Sequence, residues 1–168
     1  MTLMTRSPEE TRALGASLAK SLIAGDFIAL DGELAAGKTC LTQGLAEGLA
    51  YRGPVTSPTF TLLHLYEGGR LPLYHFDVFR LKSPEELESL GYEDYFYGDG
   101  VCVVEWAGLI AAYLPTSRIG IEMKLKDGFC VSSEARRITL VLHGENEIRR
   151  RILFNALKSF SGAITPSG

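Results

Sequence analysis

Eight consecutive residues, Gly32-Glu33-Leu34-Ala35-Ala36-Gly37-Lys38-Thr39, carry the spacing G-x-x-x-x-G-K-T. That spacing suits a grip on a phosphate chain. A loop that wraps phosphates must turn its backbone N–H groups inward, and glycine reaches the required conformations cheaply. If a helix starts where the loop ends, its unpaired N–H groups and positive dipole end face the same anion. Glu33, Leu34, Ala35, Ala36, Gly37 and Cys40 are therefore read as phosphate-loop contacts. Lys38 supplies a mobile positive charge for the β- and γ-phosphates, and the Thr39 hydroxyl is a ligand for Mg2+.

Such a loop binds a nucleotide but does not by itself hydrolyse it. A carboxylate must serve the metal, and something must place the attacking water. Two acids stand where strands are expected to end. Glu105 follows the apolar run Val101-Cys102-Val103-Val104, and Asp77 closes His75-Phe76-Asp77. In open α/β sheets, ligands gather outside the carboxyl ends of strands. Both acids face the phosphates provided that their strands run parallel to the one before the loop. The plainer readings are a solvated strand-end acid for Glu105, and a helix cap or an ion pair with Arg80 for Asp77. By alternation, His75 and Asp77 share one strand face. His75 then either orients Asp77 or fills that face.

The elements that must hold these residues are legible in outline. Phe27-Ile28-Ala29-Leu30 reads as a buried strand ahead of the loop, and Leu41, Leu45 and Leu49 recur at helical spacing after it. Ser7-Pro8-Glu9-Glu10 is a helix start, with Ser7 as cap and Pro8 in the first turn. Ser83-Pro84-Glu85-Glu86 repeats that grammar. Residues 62–66 and 71–77 flank Glu67-Gly68-Gly69-Arg70 as a β-hairpin, and Pro72 predicts a sheet edge near the second strand's start. A short helix follows at 108–113. Arg118 to Lys126 alternates with Ile119, Ile121, Met123 and Leu125 on one face, and Arg137 to Leu142 alternates more weakly. A turn is expected at Asp127-Gly128-Phe129, a last helix over about 147–160, and a frayed end over 161–168. The order predicts an α/β fold, a P-loop NTPase with a central mixed, mainly parallel sheet flanked by helices, in one domain spanning 1–168.

Composition narrows the class. The chain has 168 residues, 46% hydrophobic and 22% charged, with a net charge of -3. That balance gives no global nucleic-acid footprint and no expectation of DNA binding. No apolar run reaches membrane-span length, and the first residues lack a signal-peptide pattern, so a cytoplasmic protein is expected. Cys40, Cys102 and Cys130 lack metal-ligand spacing and are expected as free thiols, the first two as small core residues. Charge is uneven. Residues 77–105 hold eight acids and two bases, whereas 134–168 hold three acids and six bases, including Arg149-Arg150-Arg151. Two solvated faces explain this. The sharper reading is a contact of the last helix with a nucleic acid or an acidic partner surface.

The P-loop, Ser57-Pro58-Thr59-Phe60, His75-Phe76-Asp77-Val78-Phe79-Arg80 and Glu105-Trp106, in this order, resemble the bacterial TsaE (YjeE) family. The resemblance runs from about Ser7 to Pro115. It implies an ATPase, with ATP and Mg2+ as ligands, serving threonylcarbamoylation of the adenosine beside the tRNA anticodon. It implies TsaD and TsaB as the transferase partners, with ATP hydrolysis resetting their complex and at most weak or indirect tRNA contact. Carried onto this chain, Lys38 contacts phosphates, Thr39 and Glu105 serve the metal, and Asp77 is a candidate to activate water. Thr59 lies in a switch-like segment, and Trp106 closes the site or docks a partner.

Three positions depart from the family pattern. Ala35 stands for a glycine, Phe79 for a tyrosine, and Gly108 for a second acid after Glu-Trp. A positive φ at Ala35 would cost roughly 1–2 kcal/mol. The alternative function is a P-loop small-molecule or nucleotide kinase. Between Thr39 and Glu105 only Arg52, Arg70 and Arg80 are available to form the arginine-rich lid such an enzyme uses. No Asn-Lys-x-Asp motif supports guanine recognition.

Overall fold

The computed structural model describes residues 1–125, 135–144 and 147–158. The expected turn at 127–129, Cys130 and the expected frayed end at 161–168 lie outside these residues.

Apolar runs that alternate between two covered faces build the centre of a seven-stranded sheet. In β2 (Phe27–Gly32), Ile28 and Leu30 enter one core while Phe27 and Ala29 enter the other. β5 (Val101–Glu105) is buried at every position for the same reason. β4 (Leu73–Asp77) and β6 (Arg118–Leu125) complete a parallel group, in the order β6-β2-β5-β4. Antiparallel strands flank it. β3 (Leu63–Tyr66) pairs with β4 as the expected hairpin, and β7 (Arg136–His143) pairs with β6. β1 (Thr2–Thr5) closes the far edge against β7. Parallel pairing is thus confined to the four central strands. The proviso on Asp77 and Glu105 is met, because β4, β5 and β2 run in one direction.

Helices cover one face throughout. α1 (Pro8–Ala19) begins as the residues dictate: the Ser7 hydroxyl accepts from the Glu10 N–H at 3.2 Å, and Glu10 reaches back to the Arg6 N–H at 2.8 Å. α1 packs on α2 (Lys38–Gly48) with no room for side chains at the contact. A Cβ on Gly44 would sit 2.0 Å from the Arg12 carbonyl oxygen, and one on Gly15 2.4 Å from that of Leu41. α5 (Glu147–Lys158) adds Leu153 and Leu157 to this core. Among the described residues, the opposite face is covered over β2, β5 and β4, by α3 (Glu86–Ser89), α4 (Glu93–Phe96) and a 3-10 segment, Ala107–Tyr113. There Phe27, Phe76 and Phe96 meet edge to face at 4.8 and 5.3 Å. Each such fully buried ring contributes on the order of 2–3 kcal/mol.

Several expectations are corrected. Pro72 does not mark a sheet edge. It precedes β4, which is paired on both sides, and its carbonyl accepts from the Val101 N–H at 2.8 Å; β3 is the edge strand. Ser83 caps no helix, because α3 starts only at Glu86 and Glu85 occupies its cap position. Cys40 is half-buried rather than core, its thiol donating to the Pro8 carbonyl at 3.1 Å. Arg149 is committed inside the fold, donating to the Ser21 carbonyl at 2.7 Å and pairing with Asp26. It is unavailable for the polyanion contact that the sequence suggested. β1 was not anticipated at all.

Candidate functional site

The loop between β2 and α2 arches over the carboxyl end of the central strands. Gly37 sits at φ 97°, which glycine adopts freely, and ends the loop with no side-chain cap on α2. The first-turn N–H groups of an eleven-residue helix therefore face the cleft without a side-chain acceptor. Ala35 does take a left-handed backbone, φ 62°, so the strain anticipated from its departure is present. The loop residues 34–40, Ser57, Thr59, Asp77, Glu105 and Trp106 enclose a cleft of 280 Å³. Concavities of 340 Å³ lie over the open face of β6 and β7 and beside Tyr92. Volume does not single out the site; its cation, hydroxyls and two acids do.

Lys38 is only 6% exposed. Its ammonium donates to the carbonyls of Gly32 at 2.8 Å and Glu33 at 2.9 Å, and lies 3.7 Å from the centre of the Trp106 ring. Burial pushes its pKa below the usual lysine range, against the opposing pull of Glu105, Asp77 and Asp31. Trp106 reaches this position through a left-handed backbone, φ 63°, directly after β5. Its N–H donates to the Leu30 carbonyl at 2.9 Å, and its ring stacks on Phe79 at 4.7 Å. The ring packs against the aromatic core and at the same time forms part of the lysine's seat.

The two acids are direct neighbours in the parallel ladder. Both are nearly buried, 4% exposed for Asp77 and 3% for Glu105. Glu105 Oε1 accepts from the Thr39 hydroxyl at 3.2 Å and lies within hydrogen-bond distance of His75 Nε2, at 2.8 Å. Asp77 Oδ2 accepts from the hydroxyls of Thr59 at 2.9 Å and Ser57 at 3.1 Å, while Oδ1 takes the Phe79 N–H at 3.1 Å. Asp77 caps no helix. Arg80 lies over the Phe60 ring at 4.5 Å, and no ion pair between it and Asp77 occurs among the described residues. The segment carrying Ser57 and Thr59 is itself braced. Gln43 of α2 donates to the Val55 carbonyl at 3.0 Å, and the Tyr66 hydroxyl donates to that of Thr56 at 2.9 Å.

The fold thus brings Lys38, Thr39, Thr59, Asp77 and Glu105 together as the sequence proposed. Leu34 and Cys40 line the cleft, whereas the expected contact Glu33 does not: it is exposed and gives its carbonyl to Lys38. Leu34 is exposed as well, and the Cys40 thiol is engaged with Pro8. The His75 imidazole, expected to orient Asp77 or to fill its strand face, meets Glu105 instead. Gln43 and Tyr66 were missed, since nothing local in the sequence ties them to a loop residue. Among the described residues, no group of three or more His, Cys, Asp or Glu side chains could hold a metal by itself. The Thr39 hydroxyl and Glu105 carboxylate are hard oxygen donors of the kind Mg2+ prefers, and that ion takes few protein ligands when phosphates and water supply the rest.

A family model described as "Threonylcarbamoyl adenosine biosynthesis protein TsaE" matches residues 5–137. A Bacillus subtilis protein named tRNA threonylcarbamoyladenosine biosynthesis protein TsaE is 49% identical over 120 residues, 71% of this chain and 75% of its own length. The protein of the same name from Treponema pallidum is 45% identical over 129 residues, 76% of this chain and 95% of its own. The crystal structure of YdiB from Bacillus subtilis superimposes with a TM-score of 0.78 at 36% identity, covering 95% of each chain.

Proposed function

The chain belongs to the TsaE family, and from that premise we propose that it is the ATPase of tRNA threonylcarbamoyladenosine biosynthesis. It hydrolyses ATP to drive or reset a transferase complex of TsaB and TsaD. The observation that carries this reading is the cleft in which Lys38, the Thr39–Glu105 pair and Asp77 converge at the uncapped start of α2.

Each side chain has a task there. The backbone N–H groups of the loop receive the phosphate oxygens. Lys38 exchanges the carbonyls of Gly32 and Glu33 for the β- and γ-phosphates, and Trp106 keeps the ammonium sheltered from water. Mg2+ supplies neutralisation of the charge that develops between those phosphates. The Thr39 hydroxyl can offer an oxygen lone pair to the ion while its O–H keeps donating to Glu105 Oε1. Asp77 orients the attacking water and receives its proton, for which Oδ2 must be released by Ser57 or Thr59. That exchange couples the 57–59 segment to the γ-phosphate.

ATP turnover measured for the protein alone, and again with TsaB and TsaD, tests the reading. Slow basal release of phosphate that rises with the partners, with no phosphorylated small molecule, is the expected result. Efficient phosphoryl transfer to an acceptor would replace this assignment with a kinase.

A further inference from the structure

His75 is fully buried, and its imidazole meets Glu105 on the oxygen that also receives the Thr39 hydroxyl. Its Nδ1 is the one buried side-chain nitrogen or oxygen without a partner among the described residues. An unpaired buried N–H costs about 1–3 kcal/mol, so the hydrogen belongs on Nε2, where an acceptor stands at 2.8 Å, and Nδ1 is left bare. The ring cannot swing away. The β4–β5 ladder fixes the backbone register, and Tyr66, pinned through its hydroxyl to the Thr56 carbonyl, packs against the imidazole at 6.2 Å. Two donors on one oxygen set the plane of the Glu105 carboxylate. Among the described residues Oε2 has no protein donor, which leaves it free for a ligand.

We propose that His75 is a positioning residue that locks Glu105 in the orientation from which its second oxygen serves a magnesium-bound nucleotide. The proposal rests on the nucleotide reading given above. An N–H donor on a strand holds the carboxylate without competing for the metal. Partners of this kind behind metal-serving groups typically change metal affinity by 10–100-fold when removed.

Two substitutions differ mainly in reach. His75→Gln places an amide nitrogen where Nε2 stands, whereas His75→Asn stops short of Glu105. ADP binding is measured by calorimetry in EDTA, and the Mg2+ half-saturation is then read with ADP present from the fluorescence of Trp106, the only tryptophan. Binding in EDTA should stay within about twofold for all three proteins. The Mg2+ half-saturation should rise about tenfold in His75→Asn and return to within about threefold of wild type in His75→Gln. A folded His75→Asn variant with unchanged Mg2+ demand overturns the proposal and leaves the nucleotide reading standing. Wild-type protein that binds no ADP overturns both. The imidazole tautomer in the wild-type protein, read by long-range proton–nitrogen NMR, decides the matter even if His75→Asn does not fold. Hydrogen on Nε2 is expected, and hydrogen on Nδ1 would overturn the proposal.

Discussion

Glu105 and Asp77 are side by side in the ladder and equally hidden from water, yet they are held by different kinds of structure. The partners of Glu105 are a strand imidazole and the first turn of α2, both fixed by regular hydrogen bonding and packing. Asp77 Oδ2 is held by two hydroxyls of a segment with no regular structure of its own. Rigid neighbours preorganise a group for one task, and a loop can leave. Glu105 is therefore a permanent fixture of the cleft. Asp77 is available to water only when the 57–59 segment gives it up.

The largest effect expected from this contrast is at Glu105. Glu105→Ala should lower the ATP turnover number by about a thousandfold while nucleotide affinity at saturating Mg2+ stays within about threefold. Single-turnover hydrolysis alongside equilibrium binding separates the two. Asp77→Asn should cost about a hundredfold, in the range of a lost general base, and should loosen the segment that the carboxylate anchors. Hydrogen exchange of residues 55–60 reports that loosening. Thr59→Val removes one anchor and no acid, so turnover should fall only about tenfold, with faster exchange over the same residues. If Thr59→Val slows turnover as much as Asp77→Asn does, the hydroxyl takes part in the chemistry and the contrast between the two acids collapses. The smallest effect is expected at the strained loop position. Ala35→Gly relieves roughly 1–2 kcal/mol of backbone strain but returns about 0.4–1 kcal/mol of unfolded-chain entropy. A gain of about 0.5 kcal/mol is expected, read by thermal or denaturant unfolding.

The sequence made the phosphate loop and its flanking strand legible because both depend on local rules. A glycine spacing sets the loop, and an unbroken apolar run betrays a strand buried on two faces. Ser7 and Pro8 likewise act within one turn. The misreadings arose where distant chain segments decide the outcome. Alternation placed His75 on the correct face of its strand but could not say which acid it would meet. Asp77 is near in sequence, whereas Glu105 becomes a partner only through the register of β4 on β5. β1 escaped because its buried positions are Leu3 and the polar Thr5 while the apolar Met4 is only half-buried, so no apolar alternation marks it, and its pairing with β7 spans nearly the whole chain. Ser83 has the grammar of a cap, but the helix it announced is four residues long and starts later. Arg149 looked like part of a basic face until Ser21 and Asp26, more than a hundred positions away, claimed it.

The glycines between α1 and α2 limit how occupancy of the cleft can be felt elsewhere. A relay needs an element with two stable arrangements. The backbones of α1 and α2 are so close at Gly15 and Gly44 that a Cβ on either glycine would meet main-chain oxygen, a fit that favours one arrangement. The helix that carries Lys38 and Thr39 is thereby keyed to the N-terminal helix, and the pair moves as a single block. Occupancy of the cleft is then felt through its opposite wall, where Gln43, Tyr66 and Asp77 hold residues 55–59 by single hydrogen bonds that can be exchanged one at a time.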